Sequence, residues 1–357
     1  MKVYIKFISI IFFKSLFYVF FVMTSLVFIL NILSELEFFK DENVKISFTL
    51  FMSLLNSPTQ IFEMFPFILL ITIQLFFIKI YENNEIDIFK YSGLKNSSIL
   101  KILSTLSIIT GIIVVVIFYN FSSNLKNFYL EIKSSYATDG KYLAVITKNG
   151  LWIKDKKNKN IIITNASSIE LNYLIDNFIT EFDENFNVIR NIESDKIDIS
   201  NNEWKIINPK IYEQNNYINL PEIKLQTNFN LDRVRTLYSN LSALNFFKLY
   251  ELRENYKSLN YSITDVDLHL FKLISYPFYL LLIALFSSLI MLNIKKIKSS
   301  TFKVSIGLFF SVIIYYFNNF LYVLGSTEKI SLILSISMPL IILSTINVAM
   351  LSGVNEK

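Results

Sequence analysis

Long apolar segments at both ends of the chain constrain this sequence more than any other feature. A helix needs roughly 20 mostly apolar residues to cross the hydrocarbon core of a bilayer. The composition agrees with such helices, because 53% of the 357 residues are hydrophobic and only 18% are charged. The first segment is too long for a signal peptide and no small-residue cleavage site follows it, so we interpret it as a retained helix. We expect six transmembrane helices, at about 8–33, 59–80, 99–121, 268–292, 304–324 and 330–351.

The distribution of lysines predicts the orientation of these helices. Short loops that carry an excess of Lys and Arg stay on the cytoplasmic side of the membrane. On one side the short loops offer only Lys40, Lys45 and Lys329. The lysines of the other side are Lys2, Lys6, Lys79, Lys90, Lys95, Lys101, Lys295, Lys296, Lys298 and Lys303. We therefore expect an inner-membrane protein with both termini in the cytoplasm and its central region outside, which is the periplasm in a Gram-negative cell.

Residues 122–266 have the composition of a folded extramembrane domain. Stretches such as KNIIITNASSIEL are rich in β-branched residues and are separated by Asn, Asp and Gly, which is typical of short strands and turns. The pair Asn149-Gly150 favours a tight hairpin turn. We expect an all-β sandwich or jelly roll, with a helical linker from about 229. The predicted organisation is helices 1–3 in 1–121, the β-domain and linker in 122–266, and helices 4–6 in 267–357.

The composition also excludes several kinds of chemistry. The chain has no cysteine and one histidine, which rules out disulfides, thiolate metal sites and multi-histidine metal sites. It has seven glycines and no G-x-x-x-x-G-K-[ST] motif, so any ATP must be hydrolysed by another polypeptide. A net charge of +5 is modest, and many lysines flank the apolar segments, so we expect no binding of nucleic acid. Neither a cofactor nor a catalytic residue is predicted.

One ionisable group needs separate treatment. His269 lies at the start of the fourth apolar segment, near Asp265 and Asp267. Ionisable groups inside membranes are often functional, so a proton relay is one interpretation. A histidine tolerated at the membrane interface is the other, and we favour it. Hydrolysis by the two aspartates is not expected, because nothing nearby supplies a nucleophile or a metal ligand. The spans otherwise look nearly free of charge, which suits a cargo with acyl chains.

Several short patterns, in this order, resemble one known family. Residues 84–93 read NEIDIFKYSG, which is similar to the S-E-L-x-x-x-x-x-S-G pattern of a cytoplasmic coupling helix. Residues 150–155 read GLWIKD, similar to the start of a periplasmic β-domain. Further similarities are LNFFKL at 244–249, Pro277, Leu324-Gly325 and Met338-Pro339. With the six-helix layout, these patterns resemble the LptF/LptG family, the paired permeases of the lipopolysaccharide-export ABC transporter, and LptG more than LptF.

The resemblance implies a non-enzymatic permease subunit and a set of partners. These are a second, LptF-like permease, a cytoplasmic LptB-like ATPase dimer, a single-span LptC-like subunit and a periplasmic bridge protein, with lipopolysaccharide as the substrate. Two other functions stay open. The chain could be a secondary transporter with an accessory domain, or a membrane sensor whose β-domain binds a periplasmic ligand.

The resemblance also implies sites. The segment 81–98 would dock the ATPase through Glu85, Phe89, Ser92 and Gly93, with Glu85 meeting a basic groove and Gly93 ending the helix as a C-cap. The family has basic residues just after the first helix, where this chain reads SELEFFK at 34–40. The lysines left to meet lipid headgroups are Lys40, Lys45, Lys126 and Lys133. Trp152 and Ile162 are expected to face the interior of the β-domain along the path of the lipid.

Overall fold

The computed structural model describes residues 3–40, 42, 44–83, 85–91, 93–134, 136, 151–157, 160–213, 216–237, 240–258, 261–293 and 300–355. The proposed hairpin turn at Asn149-Gly150 lies outside these residues. The chain divides into two compact units, Met1–Lys126 with Thr264–Lys357, and Asn127–Ile263. The finer division into 1–121, 122–266 and 267–357 stays a prediction.

The six long apolar helices expected from hydropathy are all present. The third of them contains a π-helical segment, Val114–Tyr119, between two α-helical parts. Together with the sheet described below, these helices confirm the predicted fold class. Their bounds are α1 Val3–Phe38, α2 Ile46–Glu82, α4 Asn96–Ile113 with α5 Asn120–Ser134, α8 Thr264–Asn293, α9 Ser300–Ser326 and α10 Leu332–Asn355.

Helices α2 and α8 form the centre of the bundle. In each, 61% of the most apolar stretch is buried, whereas the corresponding share in α9 is 17%. Helix α4 approaches α8 at Gly111, where a Cβ would lie 2.8 Å from the Pro277 Cα, so the absence of a side chain permits this contact. The Ser287 hydroxyl of α8 donates to the Leu70 carbonyl of α2 over 3.0 Å. Close packing and hydrogen bonds of this kind associate helices in a membrane.

Within its described residues, the extramembrane unit contains an eight-stranded sheet and, after the last strand, two short α-helices. The first four strands form an antiparallel meander, as the alternating apolar pattern predicts. The strands are β1 Leu151–Lys157, β2 Asn160–Glu170, β3 Tyr173–Phe182, β4 Val188–Asp198, β5 Glu203–Ile207, β6 Lys210–Glu213, β7 Asn216–Asn219 and β8 Glu222–Gln226. The helices are α6 Leu231–Leu237 and α7 Phe246–Ser258.

The sheet branches at β4. One part of this strand pairs with β5 through Lys196–Asp198, and another pairs with β6 through Asn191–Glu193. Ser194 lies between the two pairings, and its hydroxyl donates to the Ile207 carbonyl over 2.7 Å. On the inner side, Trp204 is 1% exposed and its indole N–H donates to the Phe229 carbonyl over 2.8 Å. This bond satisfies the one polar group of the largest core side chain.

Candidate functional site: an amphipathic groove in the bundle

Two charged side chains line one cavity inside the bundle. Glu63 of α2 and Lys272 of α8 both border a cavity of about 180 Å³ between α2, α8, α9 and α10. The Lys272 ammonium lies 5.3 Å from the centre of the Tyr322 ring, which is cation–π distance. The expectation that the spans are nearly free of charge is therefore wrong. Both charges fall inside the predicted segments 59–80 and 268–292, and a charge in an apolar segment is itself a signal of function.

A polar stripe on α9 completes this cavity. Tyr315, Asn318, Asn319 and Tyr322 line it, and their i, i+3, i+4, i+7 spacing places them on one face of the helix. Their hydroxyl and amide groups can donate hydrogen bonds to an oxyanion, as can Tyr279 of α8. Sequence reasoning missed this stripe, although the periodicity of polar residues within an apolar helix could have revealed it.

The cavity continues into an apolar pocket. A second space of about 400 Å³ shares Glu63, Pro66, Tyr279 and Tyr315 with the first. It extends between α2, α8 and α9 toward the end of the bundle where α8 ends and α9 begins, past Phe67, Leu70, Ile283 and Val312. We call the two spaces together the amphipathic groove. One end offers a cation and hydrogen-bond donors, and the other offers hydrocarbon.

Aromatic side chains fix the wall of the groove. The Phe62 ring stacks on the Tyr276 ring at 4.9 Å, and the Tyr276 hydroxyl donates to the Phe62 carbonyl over 2.7 Å. The Tyr119 hydroxyl is 3.0 Å from His269 Nε2. This hydrogen bond gives the histidine a partner within the bundle, and its tolerance at the membrane interface stays a prediction. Tyr119 follows Gly111 by about eight residues, whereas two regular α-helical turns take about 7.2 residues. The wider π-helical segment Val114–Tyr119 accommodates the extra residue, so that Gly111 and Tyr119 both face α8.

A buried polar network joins α1, α2 and α5. Asn31 donates to the Ser57 hydroxyl over 2.9 Å and accepts from Asn56 at 3.3 Å and Gln60 at 2.9 Å. Lys126 donates to Asn56 Oδ1 over 2.5 Å. This network was not expected from the sequence, since its members lie far apart along the chain. It holds the first helix against the centre of the bundle.

The lysines expected to meet headgroups differ in exposure. Lys40 and Lys45 are exposed at the connection between α1 and α2. Lys133 is 5% exposed, and its ammonium donates to the Tyr129 hydroxyl over 2.6 Å. Lys126 is half-buried in the polar network. Of the four lysines, Lys40 and Lys45 are therefore the ones whose side chains lie at the surface of this chain.

The expected coupling segment contains the short helix α3, Glu85–Tyr91. Gly93 has a φ of +79° and the Leu94 N–H donates to the Phe89 carbonyl over 2.9 Å. This left-handed glycine with a 6→1 hydrogen bond is the Schellman C-cap, as predicted. Phe89 lies against the Phe7 ring of α1 at 5.8 Å, whereas Ile88 and Tyr91 are exposed. Ser92 lies outside the described residues.

Glu85 begins this helix and is half-buried. Its Oε1 accepts a hydrogen bond from Asn83 over 3.2 Å. A carboxylate in the first turn of a helix is favourable, since it complements the partial positive charge of the N-terminus.

The two expected lipid-path residues of the β-domain point to opposite faces. Ile162 is 4% exposed, but Trp152 is 53% exposed. The expected inward orientation of Trp152 is therefore wrong. Its neighbours Leu151 and Ile153 are buried, and side chains alternate between faces along a strand. Trp152 of β1 pairs with Asn165 of β2, which in turn pairs with Phe178 of β3. Phe178 is exposed as well.

A six-helix apolar bundle with an inserted β-domain is the architecture of a multi-pass membrane protein. Over residues 7–352 the chain matches the family described as lipopolysaccharide export system permease LptF/LptG. The chain belongs to this family, which confirms the predicted resemblance; the match covers both LptF and LptG. A comparison with curated proteins found no match. The family identifies the chain as an inner-membrane permease of lipopolysaccharide export with a periplasmic β-domain.

Proposed function

We propose that this chain is the LptG-like half of an ATP-driven exporter, and that the amphipathic groove receives the lipid. The observation that carries the proposal is the pairing of a polar cavity with an apolar one along α2, α8 and α9. Lysine and hydroxyl donors bind phosphate oxygens, which suits the charged end of a lipopolysaccharide. The apolar end suits its acyl chains. A second, LptF-like permease would close the groove on the side that is open in this chain.

Glu63 and Lys272 are the charged side chains among the described residues that line the polar cavity. A phosphate would place an opposite charge beside the Lys272 ammonium, which is favourable because an uncompensated charge away from water is costly. Glu63 has the same sign of charge as a phosphate and would oppose its binding, so Lys272 is the residue expected to hold the lipid.

Helix α3 would transmit force from the ATPase. Since the chain has no nucleotide-binding motif, the energy of ATP must enter from an LptB-like dimer. Ile88 and Tyr91 are exposed for contact with such a partner, and Glu85 would meet its basic groove. Phe89 ties α3 to α1 through Phe7, so displacement of α3 would move the first helix as well. Gly93 would set the end of the helix as its C-cap, and Ser92 remains a candidate for contact with the ATPase.

The β-domain would take the lipid onward. With both termini in the cytoplasm, this domain lies in the periplasm, beside the LptC-like subunit and the bridge protein. The apolar inner side of its sheet, which includes Ile162, would accept acyl chains. The exposed pair Trp152 and Phe178 would form part of the outer surface. Lys40, Lys45, Lys126 and Lys133 remain candidates for contact with headgroups.

The groove is tested by removing its cation. In the complete complex reconstituted with lipopolysaccharide, Lys272→Gln should lower the amount of lipopolysaccharide bound per complex by about tenfold, the loss of a charge-assisted contact. Lys272→Arg should retain most of the binding. Lys329→Gln, at the exposed connection between α9 and α10, is the matched control. Equal binding by Lys272→Gln and wild type would contradict the assignment of the groove.

One observation favours a second function. Glu63, Lys272 and His269 are ionisable groups on membrane-spanning helices, as in proton-coupled secondary transporters. The two functions differ in their energy source. Transport by proteoliposomes that requires ATP and the ATPase subunit supports the exporter, and transport by the chain alone along a proton gradient supports the secondary transporter.

A further inference from the structure

Helix α9 makes close contacts with its neighbours at two glycines. A Cβ at Gly307 would overlap the Gln74 side chain of α2, and a Cβ at Gly325 would lie 2.5 Å from the Ser335 hydroxyl of α10. Eighteen residues separate the two glycines, which is about 27 Å along a helix. Between these contacts, α9 leaves open space on the side that faces α8 and α10.

This space is separate from the two spaces of the amphipathic groove, and it is wholly apolar. It has a volume of about 540 Å³ and is lined only by apolar side chains of the three helices. They include Phe286 and Ile290 of α8, Ile306 and Phe310 of α9, and Leu343 and Met350 of α10. Of its lining, only Pro339 also borders the polar cavity of the amphipathic groove. We call this space the apolar chamber.

The lining decides what can occupy the chamber. A water molecule or an ion would find no hydrogen-bond partner there, and apolar cavities stay dry. An empty space forfeits the dispersion contacts of its lining, a penalty that grows with volume. Apolar guests enter engineered cavities of only about 150 Å³. The chamber is several times larger, so an apolar guest is strongly favoured.

Its shape and position select the guest. One turn of a helix with its side chains fills roughly 500 Å³, given a diameter of 10–12 Å and a pitch of 5.4 Å, so the chamber is too small for a partner helix of useful length. Several lining residues are partly exposed at the surface of the bundle, among them Phe310 at 43% and Ile313 at 47%. A thin hydrocarbon chain can therefore enter sideways from the bilayer.

We propose that the apolar chamber is a binding site for one acyl chain of a bilayer phospholipid. Unlike the amphipathic groove, the described lining of the chamber offers no cation and no side-chain hydrogen-bond donor, so it would recognise hydrocarbon alone, and the hydrocarbon that surrounds the bundle is that of ordinary membrane lipid. The bound chain takes the place of protein side chains between α9 and the rest of the bundle. The proposal holds whether or not the groove carries lipopolysaccharide, because it depends on the lining of the chamber alone.

Photolabelling tests the site directly. The full-length chain is reconstituted in vesicles of phosphatidylethanolamine and phosphatidylglycerol, in which a fraction of the phosphatidylethanolamine carries a diazirine in one acyl chain. It is extracted and exchanged into lipid-free detergent before irradiation. We expect label on lining residues such as Ile306 and Met350 to survive the exchange, and label on the exposed Leu30 and Leu33 of α1 to disappear. Equal loss at both places would overturn the proposal.

Filling the chamber provides a second test. Ile346 lines it, so Ile346→Trp should reduce the retained label by about tenfold by occupying the space of the guest. Ile341, on the same helix and 57% exposed, is not among the lining residues, and Ile341→Trp is the matched control that should retain the label. Ile306→Phe is a milder filler if the first variant unfolds. Unchanged retention of the label in both Ile346→Trp and Ile306→Phe would refute the site. A benzophenone introduced at Ile313 that captured a protein in place of lipid would refute it as well.

Discussion

Asn31 takes part in most of the side-chain hydrogen bonds described between α1 and α2. It is 3% exposed, donates to Ser57, and accepts from Asn56 and Gln60. Asn31→Ala would leave these two amides without their acceptor. We expect the free energy of unfolding to fall by about 1–3 kcal/mol, the cost of stranding buried polar groups. Thermal unfolding of the purified full-length chain in detergent measures this loss.

The control for this prediction is a second asparagine. Asn201→Ala, in an exposed loop of the β-domain, removes the same chemical group from a solvated position, and surface substitutions change stability by less than about 0.5 kcal/mol. If the two variants unfolded at the same temperature, the network would contribute nothing measurable.

We expect Asp198 to make the β-domain less stable in acid. The Ser200 hydroxyl and backbone N–H donate to its carboxylate over 2.6 and 2.9 Å, and these bonds lower the pKa of Asp198. Since the folded pKa lies below the unfolded one, the stabilisation is complete above the ordinary pKa of about 3.9 and is lost as the pH falls through the folded pKa. Ser200→Ala should therefore lower the unfolding temperature at pH 7, and the difference should shrink at about pH 2.

Tryptophan fluorescence measures this effect selectively. The chain has two tryptophans, and both Trp152 and Trp204 lie in strands of the β-domain. In an Asp198→Asn background, Ser200→Ala should have no pH-dependent effect. A difference that persisted unchanged at about pH 2 would show that the serine stabilises the domain without the carboxylate.

At the scale of elements, helix α3 has one aromatic residue that packs against α1 and another that is exposed for contact with the ATPase. Tyr91 is 91% exposed, whereas Phe89 is packed on Phe7. Tyr91→Ala should weaken recruitment of the ATPase by about tenfold, the effect of removing an aromatic contact from an interface, and leave stability unchanged. Phe89→Ala should lower both recruitment and stability. Co-purification of the ATPase and thermal unfolding measure the two quantities.

Charge and helix termination give further variants of the same element. Glu85→Lys should weaken recruitment, because it reverses the charge expected to meet a basic groove. Gly93→Pro should do so by disrupting the cap, since proline is restricted to negative φ and Gly93 has a φ of +79°. If Glu85→Lys, Gly93→Pro and Tyr91→Ala all recruited the ATPase at the wild-type level, α3 would not be the coupling element.

Sequence reasoning succeeded where one physical signal dominates an element. The six spans follow from hydropathy alone, and the cap at Gly93 follows from local backbone geometry. The groove was missed because it depends on which faces of four helices meet, and no local pattern gives that pairing. Trp152 was assigned to the wrong face because a shift of one residue reverses every side chain of a strand. The register became visible only in the pairing of Trp152 with Asn165.

At the scale of the whole molecule, the orientation of the bundle is the first quantity to measure. Reporters fused near Lys296 and at the C-terminus should indicate cytoplasm, and a reporter inserted within 150–220 should indicate periplasm, because the lysines crowd one side. The same tagged chain should co-purify with a second six-span permease and an ATPase. A periplasmic C-terminus would contradict the orientation, and recovery of the chain alone would contradict the assembly.

The exposure of polar side chains on the membrane-spanning bundle affects how stable an unassembled copy of the chain is against proteolysis in the cell. Glu63 and Tyr315 lie exposed on the bundle of a single copy. A newly inserted copy therefore presents a charge and several polar groups to hydrocarbon until its partner covers them, which is unfavourable. Such an orphan is open to proteolysis, since cells continuously remove incompletely folded chains. The abundance of this permease would then follow the supply of its partner, and matched synthesis of the two subunits would determine how many exporters a cell contains.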